Sequence, residues 1–513
     1  MFPISGTSFP FRGRPRARSS RLPPPDPERG PITSGLIEAA FGQGTSIFAR
    51  TTERLSRIFA QVGHVPQVSA RFREWQRCQS AIHGQEPPGE ETFIHQTYLA
   101  LLARLVARGF VAPRRPFYSD EELLEVINVD YFSRRGIGNF GEGDIFSWIP
   151  SEDRWELDLD DLALETVQGL ADDLAPYDLA NALPGILDGL YRQTAPATPR
   201  WLAEYILEDE FGLAKDPDLS LVDPACGTGV FLTAAIEAMS RNVADPLDVL
   251  FEAPEKIRGM DREPLAVALA RLNYLLALGD LVQEEHPPFL LPVYLADAHS
   301  VPVAGRSKSG DVVFTLTTTA GDFPLPEPVV RDPMMLDWLL GRLTNYMDGA
   351  QLRLHIQPED AAVQEVLNAY YNYLTAAKPR TPVPDALTPK QADSLLETAR
   401  LLVQLHIRGE GTLWLHLVQN MAAPTVFSRR GFDRLASHGS PAFFKSCSEL
   451  YLGAEGRAAM ITPQSSPTPD SIQIITGPGQ QTSLQIEGGP IPSDRSWADA
   501  KVSIRVTKTP RLA

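Results

Sequence analysis

The stretch "LVDPACGTGVFLTAAIEAMSRN", residues 221–242, leaves few folds open. Leu221 and Val222 read as a short buried strand ending at Asp223. Gly227 and Gly229 follow in a turn, and from about Val230 a helix runs apolar through Phe231, Leu232, Ala234, Ala235, Ile236 and Met239. Glycines between a strand and a helix let a ligand approach the backbone closely.

The following sequence repeats the pattern. "EKIRGMDREPLAVALARLNYLLALGD" begins with a short strand to Met260-Asp261 and continues as a helix, and "LPVYLADAHSVP" is a strand ending at Asp297. Strand–helix repeats predict a parallel sheet with helices on its faces. Ligands bind such sheets at the C-terminal ends of the strands. Asp223, Asp261 and Asp297 all fall at predicted strand ends, so one crevice can collect them. Each sign alone is weak, because an acid after a strand is often just a helix N-cap. Asp261 fits a ribose-binding acid, since a carboxylate accepts two hydrogen bonds from vicinal hydroxyls. Neither turn carries Gly-x-Gly-x-x-Gly or Gly-Lys-Ser/Thr, and Asp261 lies further from Asp223 than the ~20 residues of the dinucleotide fingerprint. A phosphate cradle is therefore disfavoured.

Taken together, "TPRWLAEYIL", "DPACGTGVFL", "GMDREPLAVALARLNYLLALG" and "LADAHSVP" follow a recognisable order. They resemble the cofactor motifs of adenine-specific (N6) DNA methyltransferases, in particular the large enzymes of restriction–modification and phage-defence systems. The resemblance is clear over roughly 198–300 and more diffuse over 90–190 and 330–460. It implies an α/β fold: an S-adenosylmethionine-dependent, Rossmann-like methyltransferase sheet behind a mostly helical N-terminal domain. It also implies methyl transfer from S-adenosyl-L-methionine to adenine N6 in double-stranded DNA. By the same resemblance, Asp223, Pro224 and the turn Ala225, Cys226, Gly227 and Gly229, with Phe231 behind it, contact the methionine end of the cofactor. Thr198 and Pro199 help close over it, Asp261 holds the ribose hydroxyls, Asp297 accepts from the adenine amino group and Met260 lies against the ring. A separate recognition or defence-system subunit is a further expected partner.

One part of the family pattern is missing. Such enzymes orient the adenine amine with an Asn/Asp-Pro-Pro-aromatic tetrapeptide, which supplies acceptors and a stacking face to a flipped base. No such tetrapeptide occurs in the chain; "HPPF" at 286–289 has His in its first place and precedes the third cofactor motif. "HIRGEGTLWLHLVQNMAAPTVFSRRGFD" resembles the lead-in to the tetrapeptide, and "FFKSCSELYL" with "GRAAMITP" the helix and strand after it. The catalytic strand and loop are therefore expected to be missing between about Asp433 and Ser440, and the catalytic residues stay unassigned. The alternatives are a cofactor-binding remnant without catalysis and, from another class, a dehydrogenase.

The rest of the chain divides by composition. Residues 1–33 are rich in Arg and Pro and read as a disordered leader. Residues 34–192 are helical in pattern: Gly109 sits where a helix would stop, and Ser119 with Glu122 has capping-box spacing. The methyltransferase-like domain spans 193–463, with a helical insert at about 320–400 whose Tyr370, Tyr371 and Tyr373 read as core. Residues 464–513 read as an irregular tail, although "SIQIIT", "TSLQIEGG" and "KVSIRV" have strand character. A net charge of −17 argues against a generally basic nucleic-acid coat, leaving DNA only a local face to bind. The cysteines Cys78, Cys226 and Cys447 form neither metal-ligand spacing nor a disulfide framework, which suits a reducing cytoplasm. No apolar run is long enough to span a membrane.

Overall fold

A computed structural model describes residues 32–509, apart from 85–87, 114–118, 129, 142–144, 150–156, 192–197, 217, 332, 354–357, 377–386, 411–412, 463–470, 477–480 and 488–502. Residues 1–31 of the Arg/Pro-rich leader lie outside the described residues, and Thr33 at its end caps the first helix by accepting the Leu36 N–H. No described helix is long and apolar enough to cross a membrane.

The fold is mixed α/β around an eight-stranded sheet. Its strands are β1 (Leu221–Asp223), β2 (Ile257–Asp261), β3 (Val293–Leu295), β4 (Phe432–His438), β5 (Leu452–Thr462), β6 (Ser471–Thr476), β7 (Gln481–Glu487) and β8 (Ser503–Thr509). The spatial order is β8-β7-β6-β5-β4-β1-β2-β3. β5, β4, β1, β2 and β3 run parallel, and β6, β7 and β8 extend the β5 edge as an antiparallel meander. The 464–513 region, read from composition as irregular, thus contributes three strands. These are the three stretches with strand character: β6 pairs with the β5 edge, β7 with β6 and β8 with β7.

β1 and β3 are short and buried throughout and β2 is buried up to its last residue, as strands covered on both faces must be. The one charge ahead of their last residues, Arg258 of β2, pairs with Glu255 and lies over the Phe427 ring. The register pairs Gly259 with Val293 and Met260 with Tyr294, so each pair shares one face. On the first face lies α1 (Val230–Ser240), close enough that a Cβ on Gly259 would stand 2.7 Å from Leu232. On the second lies α3 (Leu413–Arg430), whose Phe427 ring packs edge-on against Tyr294. α2 (Pro264–Ala277) packs beside α1, and α4 (Pro441–Tyr451) packs beside α3. The chain therefore changes faces between β1 and β4, which are adjacent. That boundary is the topological switch point of the sheet, the place where ligands bind in open α/β sheets.

β4 itself corrects an expectation. The strand judged absent between Asp433 and Ser440 is present, pairing with β1 through Leu221–Arg434 and Val222–Leu435 and with β5 from Arg457 to Ile461. Charged Asp433 and Arg434 disguise it; both find polar partners at the start of the strand, on Ser220 and on the Phe211 carbonyl.

The N-terminal half is helical: Ser34–Phe41, Ser46–Val62, Pro66–His83, Glu90–Val111, Asp120–Ile127 and Leu157–Leu174. Its core is aromatic, with Phe59, Phe72, Trp75, Phe93 and Trp148 in mutual ring contact. Gly109 does not stop its helix, which continues to Val111. A Cβ there would lie 2.3 Å from Leu179, so close packing selects the glycine. Ser119 caps the next helix through the Glu122 N–H, but Glu122 turns its carboxylate to the buried Arg108, at 2.6 Å, and no capping box forms. An antiparallel sheet, Ala304–Arg306, Val312–Thr318 and Gly321–Pro326, leads into the insert expected at about 320–400, whose helices are Pro333–Arg353, Glu359–Thr375 and Pro389–Leu405. Tyr370 is fully buried there, donating to the Leu339 carbonyl.

Candidate crevice at the topological switch point

The turn after β1 is built on two glycines in the left-handed region, Gly227 at φ +53° and Gly229 at φ +89°. Side chains are strained in that conformation, so the sequence Cys-Gly-Thr-Gly folds tightly where others would not. Gly229 is the N-cap of α1, and beside Gly227 the space for a Cβ is open. The turn is tied to β2 twice: the Cys226 N–H donates to the Met260 carbonyl at 3.0 Å, and the Gly227 N–H to Asp261 Oδ2 at 2.9 Å. Asp261 Oδ1 accepts the Glu263 N–H at 2.9 Å. Backbone donors thus aim the Asp261 carboxylate.

The three strand-end acids step along the same edge. Asp223 is level with Gly259, Asp261 is level with Leu295, and Asp297 follows just beyond β3. Asp223 is buried and accepts from the Ala225 N–H at 3.1 Å and the Ser437 hydroxyl at 2.8 Å. Burial pushes its carboxyl up to about 7, and these two donors oppose the rise. Burial raises Asp261 too, against the Glu263 and Gly227 N–H groups. Asp297 is half-exposed, bonded to the His299 N–H at 2.9 Å. Among the other expected site residues, Pro224, Cys226, Phe231 and Met260 are buried. Thr198 and Pro199 lead into the helix Arg200–Tyr205, which Arg200 fastens to α1 through Glu237 at 2.5 Å and Thr233 at 3.3 Å.

Several residues at the crevice escape sequence reading. Tyr191 donates to Glu263, whose carboxyl burial pushes up to about 7. Buried Asn273 of α2 accepts from the Gly185 N–H at 2.8 Å and donates to the Thr228 carbonyl at 2.8 Å and to Asp188 at 3.2 Å. Asn420 of α3 accepts from the Leu295 N–H and from Arg271. Partners so far apart in sequence leave no spacing signal. The Arg429-Arg430-Gly431 end of α3 is a helix stop that points to the following strand, and so to Ser437. The chain does contain one Gly-x-Gly-x-x-Gly, Gly136 to Gly141, outside this unit. It lies on the short strand Ile137–Gly138, where a Cβ on Gly138 would meet Leu290 at 2.4 Å, so this glycine is set by packing.

At the end of β4, where a base-orienting tetrapeptide would follow, the chain reads His438-Gly439-Ser440-Pro441. Ser440 caps α4 by accepting the Phe443 N–H, and the Phe443 ring packs against His299 at 5.1 Å. The far end of α4 is fastened by Tyr451, which donates to the Ala298 carbonyl.

No protein-family profile matches the chain. The adenine-specific methyltransferase PglX of Streptomyces coelicolor is 29% identical over 160 residues, covering 27% of this chain and 13% of PglX. Among solved structures, the DNA-bound Type ISP restriction-modification enzyme LlaBIII aligns at 11% identity and a TM-score of 0.32, over 83% of this chain and 25% of that one. A nuclease-deletion mutant of the Type ISP enzyme LlaGI, in complex with a DNA substrate mimic, aligns at 16% identity and a TM-score of 0.28, over 52% and 22%. The chain thus spans a small fraction of each of these proteins. It is distantly similar, over part of its length, to an adenine-specific methyltransferase.

Proposed function

We propose that the crevice binds S-adenosylmethionine and that the chain derives from DNA adenine-N6 methylation in a restriction–modification or phage-defence system. The observation that carries this reading is the Asp-Pro-Ala-Cys-Gly-Thr-Gly turn at the switch point, with a backbone-aimed acid at the end of the next strand. The partial similarity to PglX supports it.

The residues present fit the cofactor. S-adenosylmethionine has no phosphate, and the turn has no phosphate motif. The open space at Gly227 admits a ligand against the backbone. A carboxylate has about four acceptor positions. Asp261 accepts the N–H groups of Gly227 and Glu263, with the Arg262 N–H also favouring its charge, and in this reading its remaining acceptor capacity meets the ribose hydroxyls. Burial raises the carboxyls of Asp223, Asp261 and Glu263, and a cationic ligand beside them would favour their charged forms. In this reading Thr198, Pro199 and Asp297 complete the pocket. The cofactor supplies an electrophilic methyl group when bound.

A second reading, cofactor binding without methyl transfer, is favoured by one observation. β4 is in place but ends in His438-Gly439-Ser440-Pro441, which offers no Asn or Asp acceptor and no aromatic residue at the position of the tetrapeptide. Removing one well-placed transition-state donor or acceptor costs about 3–4 kcal/mol, or roughly 10²–10³ in rate. Loss of base positioning adds to that. The test is tritiated methyl transfer to genomic DNA lacking adenine methylation, with cofactor binding measured in parallel by calorimetry. Binding without incorporation is expected. Robust incorporation into adenine N6 would assign the chemistry to the 438–443 turn, and absence of binding would reject the cofactor reading.

A further inference from the structure

β1 and β4 meet over only two registered residue pairs. So short a ladder specifies its register weakly. Side chains bracket it at both ends. At the N-terminal end, Asp433 Oδ2 accepts from the Ser220 N–H at 2.9 Å and the Ser220 hydroxyl at 2.7 Å, and the Asp433 N–H donates back to Ser220 Oγ at 3.1 Å. At the C-terminal end the roles are exchanged between strands: Ser437 of β4 donates to Asp223 of β1 at 2.8 Å. Ser437 is completely buried and Asp223 is 1% exposed, so no water competes for this bond. Ser437 immediately precedes the His438-Gly439-Ser440 turn, and Asp223 holds the Ala225 N–H at the start of the glycine turn.

We propose that Ser437 is a positioning residue: its hydroxyl aims the Asp223 carboxyl at the glycine turn, and so couples the cofactor side of the crevice to the end of β4. The inference rests on the reading of the crevice as an S-adenosylmethionine site. The groups facing Asp223 make the hydroxyl necessary. Asp261 from β2 repels its charge. The buried thiols Cys226, from the turn, and Cys447, from α4, lie within electrostatic reach of it. Arg271 of α2 acts on Cys226. Against burial and the Asp261 charge, Ser437 and the Ala225 N–H are the groups that favour the carboxylate.

The experiment uses the full chain, S-adenosylmethionine as probe, and calorimetry from pH 6 to 8.5. Wild-type affinity should fall as pH drops through about 7, where Asp223 takes up its proton. Ser437→Ala should move that fall to higher pH and weaken binding roughly three- to tenfold at pH 7, about the weight of one hydrogen bond. Ser437→Thr, which keeps the hydroxyl, should restore the profile. Ser220→Ala removes the bracket at the other end and should lower thermal stability without moving the pH profile. A uniform loss at every pH, or no loss, in Ser437→Ala would overturn the proposal.

If the wild-type chain binds no S-adenosylmethionine, the cofactor reading fails, and the pair is judged in the unliganded chain. A carboxyl raised on folding favours the folded state below its unfolded pKa of about 4 and loses that contribution as pH rises through the folded value. For Asp223 the loss should level off above about 7. In Ser437→Ala it should continue to higher pH, and in an Asp223→Asn background the serine substitution should leave the slope unchanged. Parallel melting-temperature curves for wild type and Ser437→Ala would then overturn the coupling.

Discussion

Asp261 illustrates how one residue is specified by backbone. Its two carboxylate oxygens take N–H groups from Gly227, in the turn after β1, and Glu263, just after β2. The carboxylate therefore stays in place whether or not a ligand is bound. In the proposed role, Asp261→Ala should weaken S-adenosylmethionine binding by about 1.5–3 kcal/mol, the scale of hydrogen bonds to a charged group. Calorimetry on a variant whose circular dichroism matches wild type would read this, and unchanged affinity would remove Asp261 from the site. Cys226 and Cys447, by contrast, are buried with their thiols pushed up, Cys447 to about 12, so neither is poised as a nucleophile.

At the scale of elements, helix packing decides which glycines matter. Gly109 sits inside Glu90–Val111 with Leu179 where its side chain would be. Gly341 sits inside Pro333–Arg353 with nothing within 4 Å of that position. Both become alanine at the same chemical cost, one methyl group. Gly109→Ala should destabilise by about 1–3 kcal/mol through overpacking. Gly341→Ala should stabilise by roughly 0.5–1 kcal/mol through helix propensity. Urea unfolding of the pair separates packing from propensity; equal effects would mean the helix at Gly109 can shift away from Leu179. β4 makes a related point: it keeps its place between β1 and β5 although its first turn is charged, because Ser220 and the Phe211 carbonyl receive Asp433 and Arg434.

Across the whole molecule, the helical half and the sheet are joined at the crevice itself. Glu90–Val111 packs along α2. The segment from Gly185 to Tyr191 is fastened through Asn273 to the glycine turn and through Tyr191 to Glu263, whose N–H donates to Asp261. Asn273→Ala would leave the Gly185 N–H, the Thr228 carbonyl and Asp188 without that partner, at a cost of about 1–3 kcal/mol for a buried group left unmade. We expect a lowered melting temperature together with faster proteolysis between the two halves. A drop in melting temperature with an unchanged cleavage pattern would show that Asn273 serves α2 alone.

By itself the sequence determined the α/β class and the positions of β1, β2 and β3, because a strand–turn–helix pattern is local and its punctuation is chemical: two glycines, then acids at the strand ends. It also located the helices of the insert, whose apolar faces repeat at helical period. Tertiary structure alone decided the rest. β4 carries no strong local signal, and its identity comes from the β1 and β5 ladders on either side. The three stretches after Ser471 show strand character in sequence, but their antiparallel order outward from the β5 edge is a matter of long-range pairing. Gly109 serves packing because Leu179, far along the chain, lies against it. The bonds from Ser437 to Asp223 and from Tyr191 to Glu263 join residues that only the folded sheet brings within reach, and a hydrogen bond of 3 Å leaves no trace in sequence spacing.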